Sequence, residues 1–112
     1  MNKLALIKIT FFCLIILAVA LEVFADVLFK KWANSNKLYF VIIGFIIYLA
    51  GTIFWAFSLK YEFISKAGAV FVLLNLIGLA LVGLLIFKEH LSVLNWVGIF
   101  LGLISILLIE LF

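Results

Sequence analysis

The 112 residues contain no proline and no arginine, a single cysteine, and charged side chains at only 12% of positions. With all eight basic residues lysine, nothing resembles the arginine-bearing patches of nucleic-acid readout. One thiol, Cys13, excludes an intrachain disulfide, a thioredoxin-like pair and a cysteine metal site, and is expected to act as a small buried hydrophobe. The scarcity of charge matters most. A soluble domain is about a quarter charged and about half apolar, whereas this chain is 71% hydrophobic. A small water-soluble fold buries only about two-thirds of its surface and could not hide so much apolar area. No acidic or basic tail and no low-complexity tract is present.

What remains is four apolar runs separated by charges: about 9–28, 38–59, 67–87 and 91–109. Each is near the ~20 residues that carry a helix across ~30 Å of hydrocarbon. Period-2 polarity is absent and backbone groups in lipid need internal partners, so the runs predict helices rather than strands. The links, near 29–37, 60–66 and 88–90, are too short for a soluble domain and make consecutive helices antiparallel neighbours. The expectation is an all-α membrane protein of four transmembrane helices forming one domain over 1–112. Trp32, Tyr39, Tyr61 and Trp96 fall near helix ends, where amphipathic rings meet headgroups, and lysines there suit anionic lipid. Ala18-Val19-Ala20 looks like a signal-peptide cleavage site. Lys8 intrudes late, however, and hydrophobicity resumes beyond, so an uncleaved first helix is expected.

Lys3, Lys8, Lys60 and Lys66 belong to one side of such a bundle, and Lys30, Lys31, Lys37 and Lys88 to the other. Orientation follows lysine and arginine imbalance, and here four face four. Either insertion kinetics choose one orientation, or the chain inserts both ways and pairs as an antiparallel homodimer.

Glu22 lies about 21 Å of helix rise from Lys8 and 12 Å from Lys30. A short carboxylate that deep cannot snorkel, so it should face a polar cavity, pair with a cation or stay protonated. A carboxyl that exchanges a proton for a cation is what coupled transport needs; a carboxylic acid bonding a neighbouring helix is the plainer alternative. Asp26 and Lys30 follow at i+4 and i+8 on the same face. They are expected to form a structural ion pair at the membrane edge, against the rival of a two-carboxylate site with Glu22. Asn75 is the polar residue of the third run, either a contact for substrate or Glu22 or a packing hydrogen bond. Tyr48, Trp55 and Ser58 are candidate cavity residues on the second run, Trp55 through stacking or cation–π contact. Gly98, Gly102 and Ser105 form a small-residue face suited to a dimer seam, and Gly78 and Gly83 offer slack for bending. His90, beside Glu89, reads as an interfacial loop residue. No metal-ligand spacing, phosphate loop or nucleophile elbow occurs, so neither a cofactor nor an enzyme is expected.

The stretches "ALEVFADVLFKKWA" and "FKEHLSVLNWVGIFLGLISILLI" carry a resemblance to the small multidrug resistance family, within the drug/metabolite transporter superfamily. The resemblance covers the whole chain. It implies a multi-pass protein of a cell membrane, the bacterial inner membrane foremost, that exchanges protons for cationic or polyaromatic compounds as a dimer, often antiparallel. Glu22 takes the place of the family's essential first-helix carboxylate. The family's third-helix Tyr and Trp are missing: the stretch "AGAVFVLLNLIG" has Val70 and Leu73 nearest those positions and Phe71 as its aromatic, with Ser65 near the place of the family's proline. "LLNLIG" and "FKEHLS" look more like small subunits that flip an aminoarabinose-bearing lipid. The expected function is therefore proton-coupled export of small organic cations or polyamines. The alternatives are a flippase, or flippase subunit, for a lipid-linked substrate, and a non-transporting assembly or holin-like protein. The partners expected are the bilayer, protons and a second copy or a paralogue.

Overall fold

The computed structural model describes residues 2–111 and contains four helices: α1 Lys3–Ser35, α2 Leu38–Ser58, α3 Ile64–Leu85 and α4 Val93–Leu111. All four are long and apolar enough to cross a membrane. The fold is an all-α, four-helix membrane architecture with short connections. The largest departure from the sequence expectation is α1, which spans 33 residues instead of the 20 of its apolar run. Its sequence contains neither glycine nor proline, so the lysines that end the hydrophobic run do not end the helix. The caps do. Asn2 accepts a hydrogen bond from the Ala5 amide at 2.7 Å, and Asn36 turns left-handed at φ 60° while its amide donates to the Trp32 carbonyl. The α1–α2 link thus shrinks to residues 36–37, which forces a tight antiparallel hairpin. In α3 and α4 the shift is a few residues: the connection between them is 86–92, longer than expected, with Lys88 left-handed at φ 53°.

The α1–α2 seam has a sevenfold rhythm. Phe11, Ile15, Ala18, Glu22 and Ala25 are buried at alternating spacings of four and three, as on the inward edge of a coiled coil. On α2 the buried positions are Gly44, Gly51 and Ser58, seven apart. Missing side chains let the backbones close in: a methyl on Gly44 would stand 2.7 Å from the Phe29 ring. On its other side α1 meets α3, where Val23 packs over Gly78 at 3.0 Å from where a β-carbon would be. Phe11, Ile15 and Ala67 form the apolar core, with Trp55, Leu59 and Phe71 against it. Helix α4 packs chiefly on α3, through Gly102 beside Leu73 and Leu76. Most large apolar side chains of α2 and α4 point outward, which in hydrocarbon carries no penalty. Cys13 is among the exposed residues rather than in the core, because it falls off the α1 seam.

Candidate functional site: a buried carboxyl on the first helix seam

Glu22 occupies a seam position where the neighbouring positions hold Ala18 and Ala25, and it is 6% exposed. Its stem lies against Gly51, where a methyl would come 3.1 Å from Cγ and 3.2 Å from the Ala18 carbonyl. Small residues above, below and across make the room that a carboxyl needs inside the pair. Among the described residues, the ion pair within 4 Å joins Glu62 of the α2–α3 connection to Lys66 in the first turn of α3. The side-chain hydrogen bonds among them leave Glu22, Asp26, Lys30, Asn75 and Glu89 without side-chain partners.

The residues singled out from sequence fall into separate groups. Tyr48 is close to the Glu22 level, one turn before Gly51, with its ring 6.4 Å from that of Phe29. Trp55, Ser58 and Phe71 cluster toward the opposite end. The Trp55 and Phe71 rings lie 4.8 Å apart at 51°, engaged with each other. The Ser58 hydroxyl is fully buried and donates to the Trp55 carbonyl at 2.6 Å, so it is satisfied within its own helix. Ser58 is seven residues from Gly51, about 10 Å along α2. Asp26 and Lys30 do share a cavity, but no ion pair closes between them; Lys30 extends outward as an exposed side chain. Asn75 keeps its Oδ1 out of solvent with no partner, and a buried polar atom left so costs about 1–3 kcal/mol.

Gly98 has no heavy atom within 4 Å of where its β-carbon would be, whereas Gly102 is buried against α3. The Ser105 hydroxyl donates to the Leu101 carbonyl at 2.9 Å. Val70 is fully buried, and Leu73 is turned to Gly102. Two features escaped the sequence reading. Glu89 folds back over Gly83, its amide donating to the Gly83 carbonyl at 2.8 Å, so that it lines a cavity with Asp26 and Lys30. Glycine six residues earlier was the available signal. Phe29, Trp32, Phe45 and Tyr48, with Val41, line an apolar cavity of about 320 Å³ between α1 and α2; no spacing along the sequence announced it.

The family model for the small multidrug resistance protein matches residues 9–104. The chain belongs to the small multidrug resistance family. No curated protein and no solved structure gave a match. The family match reaches all four helices, α1 from residue 9 and α4 as far as residue 104, and includes Glu22, the α3–α4 connection and both α4 glycines. The small multidrug resistance family is one of membrane transporters, and the match takes in the enclosed carboxyl on the first helix seam. Among the described residues, no group of three or more His, Cys, Asp or Glu side chains could hold a metal ion.

Proposed function

We propose that this chain is a proton-coupled exporter of small organic cations or polyamines, with Glu22 holding either a proton or the positive charge of the substrate. The observation that carries the reading is the burial of Glu22. It is the one charged side chain among the described residues that is over nine-tenths enclosed, and it has no partner there. An ionised carboxylate enclosed between two membrane helices is costly unless a cation or a proton accompanies it. One site that accepts either, but not both, couples the two flows. Asn75 supports the reading, since its unpartnered Oδ1 can accept a hydrogen bond from an ammonium or guanidinium group or from a second subunit.

The same geometry argues against planar drugs as preferred cargo. The Trp55 and Phe71 rings are engaged with each other, and neither Val70 nor Leu73 supplies a stacking surface. The open flank of α4 and the exposed Gly98 support assembly as a dimer, either an antiparallel homodimer or a pair with a paralogue. The test is Glu22→Gln in proteoliposomes, with insertion checked separately. The variant is expected to insert normally and to lose proton-coupled exchange. Exchange at the wild-type rate would remove Glu22 from the mechanism.

A further inference from the structure

Asp26 follows Glu22 by one turn, about 6 Å further along the same face of α1. The two carboxyls are within electrostatic reach of each other, and the Tyr48 hydroxyl on α2 is within reach of both. Neither carboxyl is in an ion pair among the described residues. Their surroundings differ. Glu22 is enclosed on the α1–α2 seam against Gly51. Asp26 is half-buried and lines a cavity of about 210 Å³ that reaches across to Leu79, Val82 and Gly83 of α3. Glu89 brings a further carboxyl to that cavity from the α3–α4 connection, while Lys30, the basic group in its lining, is an exposed side chain. Beside Asp26 there is thus both room and an excess of negative charge, one turn from the carboxyl that has neither partner nor solvent.

We propose that Glu22 and Asp26 form one site for a linear diamine, with an ammonium at each carboxyl and the carbon chain lying along α1 between them. The proposal rests on the reading of Glu22 as a cation site and adds Asp26 as the residue that selects for a second charge. A single positive charge at Glu22 leaves the Asp26 carboxylate uncompensated a turn away, and like charges at that spacing repel or force one group to take a proton. A dication neutralises both at once. The rise of about 6 Å between them is roughly the span of a four-carbon chain, and the cavity beside Asp26 holds the second ammonium. That ammonium carries three N–H donors, enough to engage Asp26 and still meet Glu89 or water. A compact cation with one charge satisfies Glu22 alone.

The test is calorimetric titration of the full chain in detergent with 1,4-diaminobutane and with butylamine, at a pH where both are fully protonated. The diamine is expected to bind about tenfold more tightly, the worth of one further hydrogen bond between charged groups. Asp26→Asn should bring the two affinities together by weakening the diamine. Glu22→Gln should weaken both amines. Where Asp26→Asn does not insert, the wild-type ratio decides by itself. Equal affinity of the wild type for the two amines, or a diamine preference that survives Asp26→Asn, would overturn the proposal. A chain that binds butylamine through Glu22 without preferring the diamine would lose the second charge site and keep its transport function. One in which Glu22→Gln changes neither affinity would lose both.

Discussion

Gly51→Ala is the sharpest perturbation of the α1–α2 seam. A methyl at this position would stand 3.1 Å from Glu22 Cγ, 3.2 Å from the Ala18 carbonyl oxygen and 3.3 Å from Leu21 Cβ. All three contacts are tighter than most β-carbons make, so a neighbour must give way, and one of the three is backbone in the middle of a helix. The Glu22 stem can rotate aside, but the Ala18 carbonyl can retreat only if the helices separate by a few tenths of an ångström. Overpacking of this kind costs about 1–3 kcal/mol, which corresponds to roughly a 5- to 150-fold shift in the folding equilibrium. Loosening also reaches Glu22 directly, because the clash lies on its own stem. The variant should therefore lose thermal stability in detergent and lose exchange in proteoliposomes. Gly51→Ala at wild-type stability, with wild-type exchange, would refute the close seam and with it the enclosure of Glu22.

Gly98→Ala meets no atom within 4 Å inside the chain, so monomer stability should hold while cross-linking between copies weakens; unchanged cross-linking would take Gly98 out of the dimer seam. A reporter at the C-terminus should be found on both faces of the membrane, and adding one or two lysines after Phe112 should draw that end toward the cytoplasm. One fixed orientation in a functional homodimer would end the antiparallel arrangement. In a proteoliposome panel, polyamines and small guanidinium or quaternary ammonium compounds should be exchanged and planar drugs handled weakly. Tight proton-driven transport of planar drugs would show the aromatic argument wrong. Movement of an aminosugar lipid with silence toward soluble cations would favour a flippase, and silence throughout would point to a missing partner chain or a non-transporting protein.

The helices were legible because hydrocarbon imposes so few choices: a run of about 20 apolar residues has one stable conformation there. Their ends were less so. Charge marks where lipid stops, while Asn2 and Asn36 mark where helix stops, and in α1 the two differ by several residues at each end. Glu22 stood out because a carboxyl in an apolar run needs an explanation whatever surrounds it. Its neighbours were harder to name, since Trp55, Ser58, Asn75 and Phe71 sit on other helices whose rotation is set by the packing of Gly44, Gly51 and Gly78. Polarity says nothing about that rotation. The place of Glu89 depends on a left-handed Lys88 turning the chain back over Gly83, a local conformation that a lysine seldom adopts.

The long first helix also works as a depth gauge. Its lysines at 8 and 30 are separated by about 33 Å of rise, close to the ~30 Å hydrocarbon thickness, which leaves the remaining turns outside the lipid. Between those two marks Glu22 is off centre, about 12 Å from one and 21 Å from the other. In two copies with the same orientation the carboxyls would share a level. In an inverted pair they would stand about 9 Å apart along the membrane normal, each nearer a different surface. A proton arriving from either face of such a pair would always meet a near carboxyl first and a far one second, so the assembly would present the same pair of steps to both compartments.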